Sequence, residues 1–375
     1  MWMNSVCKGN SATKLTRVHR LIALKAAKAY RTTSYEALCI LTGMTPIITE
    51  LRKAVQYYHI MRGQDPTIDP DVPKTYRTWS HPSDVIEIEG KVENLPYTIE
   101  IYTDGSKSDN GVGSGIAIFV NNQLIHQLQY KLNARCSNNQ AEQIAILKAV
   151  DKLSEYNYLP DLNKSAIIYT DSKITLLSLS NPDNHHSIIE EIKQQIRCRI
   201  SDNWTIHFSW VKAHVGIFGN ELADRLAKKA AFNNEIEDMY KKVPKRAVLS
   251  DVFNRSVQEW QSDWGKTTNG AVTKCFFPNV KDRLSVNLKL SGVISTFLTG
   301  HGKLKEYFYR FKIIDSPICL CNKDRQTVNH LLWECEILND KRQTLKTEIT
   351  QHGGKWPITN NELITRHFKS FISYT

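Results

Sequence analysis

The stretch that most constrains this chain begins at Ile99, where an apolar, β-branched and aromatic run stops abruptly at Asp104. Such a run predicts a buried strand, and an acid placed where a strand ends lies at the carboxyl edge of a sheet. A second β-branched run, residues 166–170, ends in the same way at Asp171. Open α/β folds place their ligand crevice at this edge, so the two acids predict a site there.

Strands and helices alternate through residues 96–232. Apolar runs and helical periodicity predict strands at about 97–103, 166–170 and 204–211, a hairpin turned at Asn121-Asn122, and helices at 139–156, 172–179, 188–200 and 219–232. Three strands that are each followed by a helix, plus one hairpin, predict an α/β domain. We expect a mixed five-stranded sheet with helices on both faces.

Two more acids fall near the same edge of the predicted sheet. Glu142 lies in the first turns of the helix at 139–156, and Asp224 lies in the early turns of the helix at 219–232. Taken singly, each acid could serve a turn, a cap or the helix dipole. Four converging carboxylates raise one another's pKa and are costly unless a cation occupies the cluster. Oxygen ligands favour Mg²⁺ or Mn²⁺ over Zn²⁺, and two such ions can support phosphodiester hydrolysis.

Charge is unevenly distributed along the 375 residues, of which 41% are hydrophobic. Residues 1–63, a predicted small helical module, carry 10 Lys and Arg against 2 Asp and Glu. A proline-rich, acidic linker follows at 64–95, and the domain at 96–232 is neutral, with 14 against 14. A basic linker and helical region at 233–315 and a helical tail at 316–375 together carry 22 against 15. The flanks therefore predict polyanion binding, unless their Lys and Arg only solvate exposed helices.

Cysteine usage and hydropathy restrict the compartment. The chain has 8 Cys, and no apolar amino-terminal segment resembles a signal peptide. No window approaches the roughly 18 consecutive apolar residues that a membrane span needs. We therefore expect reduced thiols, no membrane partner and an intracellular protein, cytoplasmic or nuclear, that is not secreted. The sequence does not predict the oligomeric state.

The four acids belong to motifs that resemble a known family. TDGS, NNQAE, TDS and SWVKAHVGIFGNELAD, in this order across residues 97–232, resemble type 1 ribonuclease H, which cleaves the RNA strand of RNA–DNA hybrids. The resemblance implies a ribonuclease H-like fold and two Mg²⁺ ions, for which Mn²⁺ can substitute, held by Asp104, Glu142, Asp171 and Asp224. It also implies that His214, on a mobile loop with Gly flanks, assists proton transfer and product departure. Contacts with the hybrid would come from Gly105, Ser106, Asn138, Asn139 and Asn220.

The segment between Leu179 and Trp204 departs from part of that family. It has room for one helix, so the extra basic helix found in some bacterial members is absent. The domain at 96–232 is also neutral overall. We therefore expect the basic flanks to hold the nucleic acid that this domain cuts.

The flanks resemble a second family. YRTTSYEALCILTGMTPI, FLTGHGKLKEYFYRF and CLCNKD followed by HLLWEC resemble the segments after the polymerase core in insect-type non-LTR retrotransposon reverse transcriptase polyproteins. The resemblance makes residues 1–63 a helical remnant after such a core and the chain a terminal portion of such a polyprotein. No Tyr-x-Asp-Asp motif occurs, and nothing before Leu15 could hold a polymerase palm, so we expect no DNA synthesis.

The tail contains a candidate zinc knuckle. Its three thiols and one imidazole, the ligand types of tetrahedral Zn²⁺, are Cys319, Cys321, His330 and Cys335. The last two lie five residues apart at a predicted helix start, which requires a slight distortion, and a helix is predicted from about 336 to 350. The alternative to one structural Zn²⁺ is a set of reduced, buried cysteines around Trp333.

Two functions remain open at this stage. The favoured one is an endoribonuclease acting on RNA–DNA hybrids by two-metal-ion hydrolysis, because a binding module has no use for four carboxylates that repel phosphate. The alternative is a nucleic-acid-binding remnant of a retrotransposon polyprotein with little or no catalysis. A predicted helical stretch at 293–311, rich in Lys, Tyr and Phe, is either core or a base and phosphate contact.

Overall fold

A computed structural model describes residues 9–73, 75, 79, 97–157 and 163–375. Much of the predicted linker at 64–95 lies outside the described residues. The chain divides into two compact units: a nuclease unit, Tyr58–Ser250, and a helical unit, which joins Met1–Tyr57 to Asp251–Thr375. Among the described residues, no helix has the length and apolar character needed to cross a membrane.

The strands and helices follow the predicted order closely. The strands are β1 (Pro70–Asp71), β2 (Ile99–Ser108), β3 (Gly111–Val120), β4 (Gln123–Leu132), β5 (Ser165–Thr170), β6 (Thr205–Trp210), β7 (Asp238–Tyr240) and β8 (Val243–Pro244). The helices are α1 (Gly9–Ala27), α2 (Tyr35–Thr42), α3 (Ile47–Met61), α4 (Asn138–Lys152), α5 (Lys173–Ser180), α6 (Ser187–Ser201), α7 (Phe218–Phe232), α8 (Lys245–Lys266), α9 (Ala271–Phe276), α10 (Val280–Ser285), α11 (Gly292–Thr299), α12 (Lys305–Arg310), α13 (Asn339–Gln351), α14 (Asn360–Arg366) and α15 (Phe368–Tyr374).

The central sheet of the nuclease unit has the strand order β6-β5-β2-β3-β4-β7. Strands β2, β5 and β6 are parallel, whereas β2, β3 and β4 form an antiparallel meander. The β3–β4 hairpin turns at Asn121 and Asn122, both with positive φ (47° and 63°), as the sequence predicted. The five predicted strands are present. The predicted number of strands was one too low, because β7 adds a sixth strand of only three residues, which is too short for a strand pattern to be recognised in the sequence.

Helices cover both faces of this sheet, as predicted. Ile116 and Ile118 of β3 belong to the core formed with α4 and α6, whereas Ala117 between them packs with Leu222 and Leu226 of α7. Successive side chains of a strand point to opposite faces, so β3 supplies both cores. One helix, α6, lies between α5 and β6, in the segment where the sequence left room for one.

Helix α7 packs directly against the backbone of β3, because the residues of β3 that face the helix at this contact are glycines. A Cβ atom on Gly115 would meet the carbonyl oxygen of Ala223, and the same holds for Gly113 with Ala227 and Gly111 with Ala231. Glycines two apart in a strand and alanines four apart in a helix each form one continuous row. This backbone contact fixes α7, and with it Asp224, relative to the sheet.

Part of the predicted linker belongs to the nuclease unit. Pro70–Asp71 pairs in parallel with Val243–Pro244, in a segment that was predicted to be a basic linker. The buried Asp71 carboxylate accepts a hydrogen bond from Gln140 Nε2 at 2.6 Å and another from Ser187 Oγ. These bonds attach the segment to the first turns of α4 and α6. Pairing between segments so distant in sequence has no local signal.

The two predicted flanks share one core in the helical unit. Leu38 and Ile40 of α2 are fully buried with Trp264 and Phe276, which come from the far end of the chain. Ser34 caps α2 by accepting a hydrogen bond from the Ala37 N–H. The predicted helical stretch at 293–311 is two helices, α11 and α12, because Gly300 with φ 70° ends the first.

Candidate active site

Asp104 lies inside β2 rather than at its end. The parallel ladder with β5 ends at Thr103, which pairs with Thr170. Beyond this point β2 pairs only with β3, from Asp104 to Ser108. The Asp104 side chain is therefore at the edge of the parallel part of the sheet, where the sequence placed it. It is buried, and the Gly105 N–H donates to its Oδ1 at 2.7 Å.

Asp171 follows β5 immediately, on the strand adjacent to β2. Its backbone carbonyl accepts a hydrogen bond from Trp210 Nε1 at 3.1 Å, at the end of β6. Sequence reasoning missed Trp210. The available signal was its position at the end of the strand next to β5, where an indole N–H can hold a neighbouring backbone in place.

Glu142 reaches the same edge from α4. A capping box fixes the start of this helix, in which Ser137 accepts from the Gln140 N–H and the Gln140 side chain accepts from the Ser137 N–H. Glu142 is only 5% exposed, and its Oε2 has no hydrogen-bond partner. Its Oε1 accepts a long hydrogen bond of 3.4 Å from Asn138 Nδ2.

The structure brings three of the four predicted acids together. One carboxylate oxygen from each of Asp104, Glu142 and Asp171 lies within 4.8 Å of the other two. Burial, and to a smaller extent repulsion from Asp171 and Asp224, raises the pKa of Asp104 to about 7. Burial and the Asp104 charge raise the pKa of Glu142 well above its usual range, and burial raises that of Asp171.

Asp224 stands outside this group of three. Its Oδ2 forms an ion pair of 2.7 Å with Lys228, one turn later on α7. Its charge still contributes to the raised pKa values of Asp104 and Asp171, so it faces the same site. Lys228 was also missed by sequence reasoning, although acid and lysine at i and i+4 on a helix are a standard pair.

His214 is exposed in the turn between β6 and α7. Its backbone has φ 54°, a left-handed conformation that non-glycine residues seldom adopt, and Gly216 follows with φ 87°. The charge of the protonated imidazole lowers the pKa of Asp171, partly opposing the effect of burial. The structure thus places His214 on the side of the site that Asp171 occupies.

The predicted substrate residues fall into two groups. Asn138 and Asn139 are exposed at the start of α4, next to the acids, and Ser106 is partly exposed. Asn220 is only 3% exposed, and its Oδ1 has no hydrogen-bond partner. Gly105 has a structural use that the sequence did not predict, because β2 and α4 approach each other there too closely for a Cβ atom.

The three clustered acids fit a divalent cation. All candidate ligand atoms are carboxylate oxygens, which suit Mg²⁺ or Mn²⁺. The unpartnered Oε2 of buried Glu142 is the specific observation, because a buried carboxylate oxygen without a donor needs a cation or a proton. Asp224 pairs with Lys228 through Oδ2, so its Oδ1 is the oxygen that could join the ligands without breaking this ion pair.

A second cluster lies in the helical unit. One ligand atom from each of Cys319, Cys321, His330 and Cys335 lies within 4.8 Å of the other three. The Sγ atoms of Cys319 and Cys335 are 3.8 Å apart, and Cys321 Sγ is 3.1 Å from His330 Nε2. A tetrahedral ion with Zn–S bonds of about 2.3 Å requires S–S separations of about 3.8 Å. This spacing fits Zn²⁺ and excludes a Cys319–Cys335 disulfide.

The backbone around this cluster explains the unusual spacing of its ligands. A π-type turn, in which the Cys335 N–H donates to the His330 carbonyl at 2.7 Å, brings together residues five apart. This turn is the distortion that the sequence required. A hydrogen bond from the Lys323 N–H, and smaller contributions from hydrogen bonds with the other three residues of the cluster, lower the pKa of the Cys321 thiol to about 6. This favours the thiolate, which is the form that binds a metal.

Comparison with known proteins agrees with these geometries. The family model described as RNase H matches residues 96–232. These residues form an RNase H domain. Its predicted ribonuclease H-like fold is therefore confirmed by the family match and by the mixed sheet with helices on both faces.

Relatives of the RNase H domain and of its flanks are found among retrotransposon proteins and bacterial enzymes. A "Retrovirus-related Pol polyprotein from type-1 retrotransposable element R1" from Popillia japonica is 28% identical over 238 residues, which are 62% of this chain and 89% of that sequence. The R1 Pol polyprotein of Bradysia coprophila is 28% identical over 92 residues, 24% of this chain but only 9% of that polyprotein. "Ribonuclease HI" of Haemophilus influenzae is 29% identical over 154 residues, 39% of this chain and 97% of that sequence.

A solved structure of RNase H1 from Halobacterium salinarum aligns with 35% of this chain and 96% of its own, at 18% identity and a TM-score of 0.29. The retrotransposon homology predicted from the flanks is confirmed by the R1 relatives, since the Popillia alignment is longer than the RNase H domain.

Proposed function

We propose that this chain is an endoribonuclease that cleaves the RNA strand of RNA–DNA hybrids, with Asp104, Glu142, Asp171 and Asp224 as metal ligands. The observation that carries the proposal is the convergence of three carboxylates, one with an unpartnered buried oxygen, inside an RNase H domain. A binding module would not keep such a cluster, because it repels phosphate and destabilises the fold when no cation is present.

The acids would hold Mg²⁺, which in a two-ion arrangement activates a water and stabilises the leaving 3′-oxygen. Asn138 and Asn139, exposed beside Glu142, would contact the minor groove, where the 2′-hydroxyl distinguishes RNA from DNA. His214 would transfer a proton and promote product release from its exposed turn.

The deciding measurement is single-turnover cleavage of a labelled hybrid with Mg²⁺, comparing wild type with Asp104→Asn. Asp109→Asn is the matched control, because Asp109 is exposed at the far end of the same strand region. We expect cleavage by wild type and the control, and none by Asp104→Asn. If neither wild type nor Asp104→Asn cleaves, the enzyme proposal fails; equal cleavage by both would mean contamination or a wrong site.

The role of His214 has a separate test. His214→Asn keeps a residue that tolerates the left-handed backbone of this turn. We expect the single-turnover rate to fall about a hundredfold, the usual contribution of a general acid or base, with unchanged hybrid affinity. An unchanged rate would remove His214 from the catalytic residues.

The helical unit would hold the nucleic acid. It carries 27 Lys and Arg against 14 Asp and Glu, whereas the nuclease unit carries 22 against 24. Hybrid affinity, measured with Asp104→Asn so that nothing is cut, should therefore fall steeply as salt rises. A salt-insensitive affinity would contradict this role. The Cys/His cluster would hold one structural Zn²⁺ in the same unit.

A further inference from the structure

The helical unit contains a cavity of about 490 Å³ that the proposed nuclease does not use. The residues that precede α2, the segment 268–273 and the segment 299–310 line it. The last of these is the aromatic and basic stretch for which the sequence left core packing and nucleic-acid contact as alternatives. A volume of this size is typical of small-molecule pockets.

One wall of the cavity is a chain of hydrogen-bonded side chains ending at an arginine. Thr32 Oγ1 lies 2.8 Å from the Tyr307 hydroxyl and 2.9 Å from His301 Nδ1. His301 Nε2 in turn lies 3.3 Å from Arg310 Nη2. Burial and the Arg310 charge lower the pKa of His301, so the neutral ring accepts from the guanidinium. The arginine is therefore held by a partner that does not neutralise it.

Two aromatic rings lie close to the same guanidinium. The Arg310 Cζ atom lies 5.7 Å from the centre of the Tyr307 ring and 5.3 Å from that of Phe311. A guanidinium that is hydrogen-bonded on one edge and has rings beside it keeps its remaining N–H groups available for a planar or tetrahedral anion.

Acidic groups do not cancel this charge. Glu306 lines the cavity, but Arg325 occupies both of its oxygens, at 2.6 and 3.0 Å. In the part of the chain that the structure describes, no carboxylate lies within ion-pair distance of Arg310. The cavity therefore presents one oriented cation that is free to bind an anion.

A buried hydroxyl also lacks a partner at this cavity. Thr33 is a lining residue with 1% exposure, and its Oγ1 makes no hydrogen bond. An unmade hydrogen bond at a buried group costs about 1–3 kcal/mol, so a ligand atom that reached this hydroxyl would relieve that cost.

These features together define the ligand. An arginine in the wall suits a phosphate, the Tyr307 ring beside it suits a base, and hydroxyl-bearing walls suit the polar edges of a nucleoside. Stacked bases inside a duplex cannot enter a cavity, whereas an unpaired nucleotide can. We propose that this cavity binds one unpaired nucleotide of a single-stranded nucleic acid, with its phosphate on Arg310. The proposal rests on the nucleic-acid role of the helical unit and is independent of hybrid cleavage.

The test measures binding of fluorescent single-stranded oligouridylate to the full chain by anisotropy. Arg310→Gln should weaken binding at least about tenfold, the effect of losing a charged hydrogen bond. Lys289→Gln is the matched control, since Lys289 is exposed in the same unit, outside the cavity. Equal weakening by both variants would mean that binding is only long-range attraction and would overturn the proposal.

Thr33→Val gives a second, independent readout. It removes only the unpartnered hydroxyl and keeps the shape, so it should raise the thermal midpoint while weakening oligouridylate binding about three- to tenfold. A higher midpoint with unchanged binding would assign the hydroxyl to packing and overturn the proposal. Hybrid cleavage by Thr33→Val should equal that of wild type, which keeps this test separate from that of the nuclease.

Discussion

The backbone nitrogen of Glu142 lies 2.5 Å from the point that a Cβ atom on Gly105 would occupy. The two residues are on different elements, β2 and α4, and each adjoins or supplies an acid of the site. The Gly105 N–H also donates to Asp104. The separation of Asp104 and Glu142 therefore depends on the absence of a methyl group between the strand and the helix.

Gly105→Ala should damage the site and the fold together. The new Cβ would meet the nitrogen of Glu142 and the carbonyl carbon of Ala141, backbone atoms that cannot rotate away. We expect a loss of roughly 1–3 kcal/mol, as in overpacked cores, and greatly reduced hybrid cleavage. Urea unfolding and single-turnover kinetics check this. Gly265→Ala is the control: it has open space around its Cβ position in helix α8, so it should not destabilise the fold and should leave cleavage unchanged.

Metal-free protein should lose stability as the pH rises toward 8. Burial and the neighbouring acids raise the pKa of Asp104 to about 7, whereas an unfolded aspartate titrates near 4. The folded state thus holds more protons between these values, so the free energy of unfolding falls across that window. Asp104→Asn cannot titrate and keeps the acceptor for Gly105, so at pH 8 in EDTA it should be more stable by roughly 2–4 kcal/mol.

The same pair of proteins supplies the control for this pH effect. At pH 4 the folded forms of both carry a neutral side chain at position 104, so the difference in unfolding free energy should become small. Mg²⁺ at pH 8 should stabilise wild type more than Asp104→Asn, since it binds the folded cluster. A wild-type stability that rises between pH 4 and 8 in EDTA would contradict the pKa assignment.

Local patterns were enough to predict the sheet and the position of the acids. A β-branched run that stops at an acid predicts where the parallel pairing ends, and both Asp104 and Asp171 directly follow the last pair of that ladder. The contact of α7 with β3 also has a signal, because Gly111, Gly113 and Gly115 alternate while alanines recur every four residues on α7. The position of Asp224 relative to the sheet, however, follows only from the short distances between the backbones of β3 and α7.

Contacts between distant parts of the chain were not predictable. The pairing of β1 with β8 joins two-residue strands without periodicity. The common core of α2 with residues beyond 250 appears in the sequence only as two separate amphipathic regions. The ion pair of Asp224 with Lys228 was also unpredicted. Helical spacing shows that the two side chains can reach each other, but it does not show whether Asp224 pairs with Lys228 or with another group.

Loss of the Cys/His cluster should destabilise the helical unit. Purified protein should contain one Zn²⁺ per chain, and Co²⁺ should replace it with the absorption of a tetrahedral thiolate site. Cys319→Ser should abolish both and lower the urea midpoint of the helical unit, because metal binding contributes directly to folding. Cys275→Ser, at an exposed thiol of the same unit, is the control. Protein that folds normally in chelator and contains no zinc would leave the buried cysteines as packing residues.

The two ends of the chain should lose stability together when Arg283 is replaced. Its guanidinium is buried and donates to the Leu41 carbonyl from Nε at 3.1 Å and from Nη2 at 2.7 Å, and to Val286 from Nη1 at 2.7 Å. Arg283→Met keeps an apolar stem but leaves these buried carbonyls unpaired, which should cost roughly 2–4 kcal/mol. Lys281→Met, at an exposed site on the same helix, should cost almost nothing.

Hydrogen exchange followed by mass spectrometry locates this loss. Amides of α2 and α10 should lose protection together in Arg283→Met, because one side chain joins them across 242 residues of sequence. Amides of β2 and β5 should keep their protection, since they belong to the separate core of the nuclease unit. Equal loss in both units would mean that they unfold as one body. Loss confined to α10 would show that α2 is held by packing with Trp264 and Phe276 alone.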